Sequence, residues 1–364
     1  MGAVAVPARR WLGRAIAPED LRAEGNAFTG LRWLLASSVM ISHAWDLTQP
    51  ARGLDPSVAL LGFPVSRLAV FLFFTLSGFL VTGSLFKRGV GEFLKARALR
   101  LLPGLWVMLI VVPLGLWAAF GTIDLGSFLG DRDTLRFWWR NAVPIGGAYS
   151  LPGLFVDHQM PGVINGSLWT IPYEVRCYLT LALSLWVGLA LPRGRFTAII
   201  VAGLAVALVL PWAGLGLPEV VERSRGLFFS FYLGVLAWLW RDRLRLSWPL
   251  ALAGVVLPLL LPVDLPDRTE LAQLGFGYAA LVAAFALPLA VKTASARLPD
   301  YSYGIYIYAF PLQQAAIALG AATPLANLAL AFPLTVVAAG LSWHFIEKPA
   351  LALKGGKRLP TPAG

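Results

Sequence analysis

The first long apolar segment of the sequence carries side chains that could take part in acid–base chemistry. Arg32 and His43 are eleven residues apart in GLRWLLASSVMISHAWDL. On a helix they would lie about 20° apart on one face and about 16 Å apart along the axis. Asp46 follows three residues later and can reach the second nitrogen of the imidazole, which would fix its tautomer and raise its basicity. The spacing therefore predicts a histidine base supported by a carboxylate.

A second candidate group is a carboxylate in the stretch NGSLWTIPYEVRCY. Glu174 opens an apolar segment that is expected to run opposite to the first, so it should reach a depth similar to that of His43. The two side chains could then meet in one interior pocket. The alternative is an ion pair between Glu174 and Arg176 with a purely structural role. In the same stretch, Asn165, Trp169 and Tyr173 are our candidates for binding a substrate.

A third candidate is a group of cations before the next apolar run. Lys95, Arg97 and Arg100 lie in FLKARALRLLP. Three cations at this place fit a phosphate-bearing ligand, because arginine binds phosphate oxygens in a bidentate manner. The alternative is the ordinary excess of basic residues in cytoplasmic loops of membrane proteins.

The composition indicates which elements must position these groups. Of 364 residues, 58% are hydrophobic and 13% charged, whereas soluble domains carry about a quarter charged residues. We predict an all-α polytopic bundle of about ten transmembrane helices that lies in a lipid bilayer. One cysteine and three histidines argue against a metal site. The net charge of +11 is explained by basic loops near anionic headgroups, so no nucleic-acid partner is expected.

Apolar windows separated by Gly, Pro and charge place the ten spans near 28–46, 66–86, 101–121, 167–190, 195–212, 225–241, 247–263, 271–291, 301–320 and 325–346. With the N-terminus inside, cytoplasmic segments hold 20 Lys and Arg and the outer side holds eight. We therefore expect both termini in the cytoplasm. The predicted organisation is an N-terminal arm at 1–27 without a cleaved signal peptide, a membrane domain at 28–346 and a C-terminal tail at 347–364.

Within this frame, Arg32 could simply extend towards headgroups and His43 could bond a neighbouring helix. The longest connection, 122–166, is expected on the outer side, and its tryptophans could contact a sugar. In FFTLSGFLVTGSL, Gly78 and Thr82 are four residues apart. This spacing favours close helix packing over a nucleophilic role for Ser77. We interpret His158 and His344 as structural or interfacial.

Six features carry a resemblance to a known family. They are the Arg32–His43 pair, FFTLSGFL at 73–80, FLKARALRLLP at 93–103, LWTIPYE at 168–174, YSYGIYIYAFP at 301–311 and FIEKP at 345–349. In this order, across ten predicted spans, they resemble the membrane-bound acyltransferase-3 family. Members are integral-membrane O-acyltransferases that modify bacterial surface polysaccharides.

The resemblance implies transfer of an acyl group, usually acetyl from acetyl-CoA, to a hydroxyl of a surface or exported glycan, in a multi-pass protein of the bacterial cytoplasmic membrane. His43 resembles the family's essential histidine, Arg97 and Arg100 its Arg-x2-Arg pair, and Glu174 the carboxylate after the tryptophan. Donor phosphates are then expected on Arg97, Arg100, Lys95 and Arg32, and no metal is expected.

The chain departs from the family where many members have a second carboxylate followed by Gln, because it has Val175 and Arg176 there. Two alternatives stay open. One is an acyltransferase for a small hydrophobic metabolite such as a macrolide. The other is a flippase for a glycan or lipid-linked intermediate that uses buried ionisable groups as a proton relay.

Overall fold

The computed structural model describes residues 13–49, 55–189, 193–213, 218–262, 265 and 268–354, and this part of the chain is almost entirely helical. The α-helices are α1 (Phe28–Thr48), α2 (Pro56–Leu61), α3 (Val65–Arg88), α4 (Val90–Phe120), α5 (Leu125–Gly130), α6 (Arg132–Ala142), α7 (Ile171–Leu189), α8 (Arg193–Val209), α9 (Glu219–Leu239), α10 (Trp248–Leu260), α11 (Arg268–Ala286), α12 (Leu289–Arg297), α13 (Ser302–Ala318), α14 (Pro324–Ser342) and α15 (Lys348–Ala352). A π-helical turn, Trp343–Glu347, joins α14 to α15.

Each of the ten apolar segments overlaps a helix in the described residues, and the segment 271–291 runs past the end of α11 into α12. Within the described ranges, four helices are long and apolar enough to cross a membrane: Val65–Arg88, Val90–Phe120, Arg268–Ala286 and Pro324–Ala352. Gly194–Val209 and Trp248–Leu260 are shorter apolar helices. A nearly all-α protein with four candidate membrane-spanning helices is thus confirmed for the described residues, whereas the number ten and the cytoplasmic termini stay predictions.

The chain forms two compact units. Unit 1 comprises Met1–Arg32, Phe71–Gly83 and Val187–Leu298, and unit 2 comprises Trp33–Val70, Ser84–Trp186 and Pro299–Gly364. In unit 1, α9 packs on α8 and α11, and α10 packs on α11. In unit 2, α13 packs extensively on α14 and also on α4. Leu105, Met108, Ile307 and Phe310 are among the buried side chains of this second unit.

The described part of the N-terminal arm belongs to unit 1. Arg14–Ala15 (β1) pairs in antiparallel fashion with Arg245–Leu246 (β2). The Arg14 guanidinium binds the Asp20 carboxylate, and Ala17 N–H also donates to Asp20 (2.8 Å). Two short 3-10 turns, Pro18–Leu21 and Ala23–Gly25, lead into α1. Residues 1–12 of the arm and 355–364 of the predicted tail lie outside the described residues.

Small residues allow helices of unit 1 to approach closely. A Cβ atom added at Gly78 would lie 2.0 Å from the carbonyl oxygen of Phe231 on α9. Thr82 donates its hydroxyl to the Gly78 carbonyl (2.6 Å) within α3. The packing role predicted for Gly78 is therefore confirmed, because no larger residue fits at the contact.

The connection 122–166 is more ordered than a loop. It contains the helices α5 and α6 and an isolated β-bridge between Ser150 and Val163. Asp124 caps α5 through Ser127 N–H (3.0 Å), and Asp131 caps α6 through Asp133 N–H (2.7 Å). Aspartate caps of this kind satisfy backbone donors at a helix start. The predicted connection between two spans is therefore partly helical.

Candidate active site

His43 lies on α1 within unit 2. Its side chain is 19% exposed, and Nδ1 lies 3.4 Å from Oδ2 of Asp46. Nδ1 is buried and makes no hydrogen bond in the described part of the protein. The two side chains are therefore close enough for an ion pair, but they are not aligned for a hydrogen bond. The edge of the ring meets Phe310 of α13, with 5.5 Å between ring centroids. The imidazole is thus buried on the Nδ1 side, towards Asp46, and keeps a partly accessible surface.

Polar groups that sequence reasoning missed surround the same turn of α1. Gln313 is fully buried and donates from Nε2 to the carbonyl of Met40 (2.9 Å). Oε1 of Gln313 and Oδ1 of Asn327 are buried without a hydrogen-bond partner among the described residues. The sequence pattern that could have revealed them is the pair of glutamines at the end of YSYGIYIYAFPLQQ. Burying an amide inside a membrane span costs free energy unless the amide is hydrogen-bonded.

Glu174 lies in the first turn of α7 and accepts a short hydrogen bond from the Tyr178 hydroxyl one turn later. No hydrogen bond or ion pair joins Glu174 to His43 across the described ranges. The alternative ion pair with Arg176 is also absent from this part of the chain. Arg176 is exposed and lies over the Tyr173 ring, 5.1 Å from its centroid. Glu174 is held by Tyr178 rather than by either expected partner.

Arg97 of α4 lies against two aromatic rings. Its guanidinium carbon is 5.9 Å from the ring centroids of both Phe93 and Tyr178. Nε is buried without a hydrogen-bond partner, and no carboxylate lies within ion-pair distance of Arg97 in the part of the chain that the structure describes. A guanidinium in this state has N–H groups that could donate hydrogen bonds to a phosphate.

Arg100, one turn later on α4, is in a different situation. Nη2 lies 2.8 Å from Asp300, and Nη1 lies 3.1 Å from Glu347, whose side chain is fully buried. Ser342 also donates to Glu347 (2.9 Å). The contact joins three segments that are far apart in the sequence: FLKARALRLLP, the residue before YSYGIYIYAFP, and FIEKP. Arg100 therefore holds this end of unit 2 together.

Lys354 is a further cation near this group, to which sequence reasoning assigned no role. Burial, followed by the charges of Arg97, Arg100 and Arg88, lowers the pKa of Lys354 from 10.5 to about 8. The shift has the expected sign, because both burial and neighbouring positive charge disfavour the ammonium form. Lys354 follows α15, which packs on α4.

Two other predicted cations are placed elsewhere. Lys95 is exposed, and since it precedes Arg97 by two residues it points to another face of α4. Arg32 lies on α1, but in unit 1. The site described here contains residues of unit 2 only.

The segment 165–173 is fixed by polar contacts with α13. Asn165 is fully buried and donates to the carbonyl of Ile307 (2.8 Å), while its oxygen accepts from Ser167 N–H (3.2 Å). Thr170 and Tyr306 share a hydrogen bond of 2.7 Å between their hydroxyls. Trp169 and Tyr173 meet edge to face, with 5.8 Å between centroids. Asn165 therefore positions this segment, and Trp169 is the partly exposed ring.

The two remaining histidines make single polar contacts. His158 Nδ1 lies 2.8 Å from Gln314 Oε1, and His344 Nε2 lies 2.9 Å from the Tyr301 hydroxyl. Among the described residues, no group of three or more His, Cys, Asp or Glu could hold a metal ion.

Helix α13 contacts both the imidazole of His43 and the part of α4 that carries Arg100. Tyr303 donates to the carbonyl of Leu101 (2.9 Å), beside Arg100, and Phe310 contacts His43. Tyr303 and Phe310 are seven residues, or about 10 Å, apart along the helix. Unit 2 thus presents a histidine with a carboxylate at one level of α13 and, near the start of the same helix, the group of cations that contains Arg100.

This arrangement defines a helical protein with a partly buried imidazole and a separate group of cations. Comparison with known proteins gives the class: an acyltransferase domain model of the acyltransferase-3 family matches residues 26–346, and the chain belongs to that family. It is 30% identical to nodulation protein 10 of Rhizobium leguminosarum bv. viciae, over 90% of this chain and 94% of that protein. It is 26% identical to an O-acetyl transferase of Shigella phage Sf6, over 92% and 98%. No solved structure matches significantly.

Proposed function

We propose that the protein is an O-acyltransferase that moves an acyl group, most simply acetyl, from acyl-CoA to a hydroxyl of an exported or surface glycan. The observation that carries this proposal is the partly accessible imidazole of His43, whose buried Nδ1 faces Asp46 at 3.4 Å. An imidazole oriented in this way can serve as a general base. Family membership and the phage O-acetyl transferase relative support the same chemistry.

The donor would bind at the cationic end of the site. Its phosphates would contact Arg97 and Lys354, because Arg97 has no carboxylate partner within the described ranges whereas Arg100 is held by two. From there the pantetheine arm would follow α13 towards Phe310 and place the thioester beside His43. Arg100, whose charge is balanced by these two carboxylates, would support this end of the site without binding the donor directly.

The reaction needs one proton transfer in each direction. Nε2 of His43 removes the proton of the acceptor hydroxyl as its oxygen attacks the thioester carbonyl carbon. The carbon–sulfur bond then breaks, and the thiolate of CoA leaves and takes the proton from the imidazolium. Asp46 stabilises the imidazolium through its charge. The products are the acylated hydroxyl and free CoA, so the base is regenerated.

The acceptor would approach from the side of the 122–166 segment. Trp169 is the ring of the 165–173 segment that is partly exposed, and an aromatic face is a common platform for the apolar side of a sugar. This side corresponds to the predicted outer side of the membrane, in a bacterial cytoplasmic membrane.

The test is turnover of acetyl-CoA by purified protein in lipid nanodiscs, measured as release of free thiol with added glycan acceptor. His43→Ala should lower kcat by about 10²–10⁴, the usual contribution of a positioned base. His344→Ala is the matched control, because that imidazole is exposed and bonds only Tyr301 among the described residues. Wild-type turnover in His43→Ala would refute the assignment.

A second measurement separates the enzyme from a flippase. CoA should raise the melting temperature of the wild type, and Arg97→Gln should abolish this shift, because a ligand stabilises only a state that binds it. A protein that moves glycans without acylating them would show no shift with CoA. Mass spectrometry of the product identifies the acceptor and distinguishes a glycan from a small hydrophobic metabolite.

A further inference from the structure

Helix α6 carries a row of arginines on its exposed side. Arg132, Arg136 and Arg140 are spaced four residues apart, so they follow one face of the helix at intervals of about 6 Å. Arg132 and Arg136 are exposed. We call these three residues the arginine row. They account for three of the eight Lys and Arg on the predicted outer side, where membrane proteins usually carry few cations.

The opposite side of α6 anchors the helix in unit 2. Phe137 and Asn141 are buried, and Asn141 donates to the carbonyl of Ala148 (2.8 Å). Trp138 donates its indole N–H to the carbonyl of Leu109 on α4 (2.7 Å). Because packing and hydrogen bonds hold this side, the direction in which the arginine row points is determined by the fold.

The arginine row is not neutralised by the protein. None of its three members takes part in an ion pair anywhere in the described ranges, although Asp131 and Asp133 are close in sequence. Asp131 instead accepts from backbone N–H groups at the start of α6. The positive charge of the row is therefore available to an external anion.

The side chain of Arg140, the third arginine of the row, is held in place by a contact within the protein. Arg140 donates from Nε to the carbonyl of Gly146 (2.7 Å), and its guanidinium carbon lies 5.8 Å from the centroid of the Trp139 ring. Gly146 has φ of +86°, a conformation that favours glycine. This hydrogen bond uses Nε, and the terminal nitrogens make no ion pair within the described ranges.

A cavity and an apolar surface accompany the arginine row. The cavity measures about 570 Å³ and is lined by Gly130, Arg132, Leu135, Arg136, Trp139 and Arg140. Leu135 and Trp139 are 51% and 55% exposed. A free anion would leave these two side chains uncovered, whereas an amphiphile with a phosphate head and an apolar tail covers both kinds of surface.

We propose that the arginine row with Leu135 and Trp139 is a binding site for the phosphate headgroup of a membrane lipid. Guanidinium groups bind phosphate oxygens in bidentate fashion, and the row is long enough for a diphosphate or two neighbouring headgroups. The site contains neither His43 nor Arg97, and it does not depend on the proposed acyl transfer.

The test is direct binding to the purified full chain in a neutral detergent. Phosphatidic acid with one fluorescent acyl chain is the probe, and fluorescence anisotropy gives Kd. Arg132→Gln/Arg136→Gln should raise Kd by about tenfold or more, since it removes two charge-assisted contacts. The matched control is Arg195→Gln/Arg223→Gln, which removes two exposed arginines of unit 1 and should leave Kd within about twofold.

Two further arms identify the ligand. Arg132→Lys/Arg136→Lys keeps the charge and should bind more tightly than the glutamine variant, which separates charge from a folding defect. Glycerol 3-phosphate has the same headgroup without tails and should compete only in large excess. Equal Kd values for both glutamine double variants would overturn the site, and tight binding of glycerol 3-phosphate would show a soluble-anion site instead of a lipid site.

Discussion

Arg97 and Arg100 lie one turn apart on α4, yet their substitution should have different consequences. Arg100→Gln leaves Glu347 as a fully buried carboxylate without its guanidinium. Breaking a buried ion pair in this way costs about 3–5 kcal/mol. The contact with Asp300, which is 23% exposed, adds little because solvent screens it. Arg97→Gln removes no ion pair within the described ranges, so stability should be nearly unchanged.

The assay is thermal unfolding followed by intrinsic tryptophan fluorescence, together with the KM for acetyl-CoA. At about 2–4 °C per kcal/mol, Arg100→Gln should melt roughly 6–20 °C below the wild type. Arg97→Gln should melt near the wild type but show a KM raised about tenfold or more, since one charge-assisted contact to phosphate is lost.

The surface substitution Lys87→Gln is the control for loss of one charge near the same end, and it should change neither quantity. If Arg100→Gln melts like the wild type while Arg97→Gln is strongly destabilised, the division between a structural and a ligand-binding arginine is wrong.

Other predictions concern pH and packing. Because Lys354 has a pKa of about 8, it is charged below that pH and neutral above it, so the KM for the donor should rise between about pH 7.5 and 9. Lys354→Arg stays charged and should remove this rise; an identical KM–pH profile in both proteins would exclude a role for the ammonium. Gly78→Ala should lower stability by about 1–3 kcal/mol, since its Cβ would lie 2.0 Å from the Phe231 carbonyl oxygen. Gly115→Ala meets nothing within 4 Å and should melt at or slightly above the wild-type temperature, whereas equal losses in both variants would contradict the packing argument.

Much of the fold could be predicted because local patterns decide it. The apolar runs that predicted ten spans all overlap helices, since an apolar segment in lipid must satisfy its backbone hydrogen bonds internally. The four-residue spacing of Gly78 and Thr82 predicted a close helix contact, because residues four apart lie on the same face of a helix. The helices α5 and α6 were missed because they are short and α6 carries many charged residues, although the four-residue spacing of Arg132, Arg136 and Arg140 was a signal of a helix in the sequence.

The candidate site was predicted less completely, because its contacts are long-range. The types and spacing of His43 and Asp46 on one helix predicted their proximity, and the structure places them 3.4 Å apart. The expected depth of Glu174 in the membrane predicted that it lies near His43. In the structure its carboxylate accepts a hydrogen bond from Tyr178 within the same helix. Depth in a membrane gives one coordinate of a side chain, whereas contact also requires the rotation and neighbours of each helix.

The sequence alone determined that this chain is a helical membrane protein of a recognisable family with an imidazole–carboxylate pair on its first long helix, because hydropathy and helical spacing act between near neighbours in the chain. Only the tertiary structure decided which cation is paired with carboxylates. Arg97 and Arg100 have the same chemistry and the same local surroundings in sequence. The carboxylates that neutralise Arg100 are 200 and 247 residues away in the sequence. Packing of α4 against the start of α13 and the turn after α14 brings these carboxylates to Arg100 and not to Arg97.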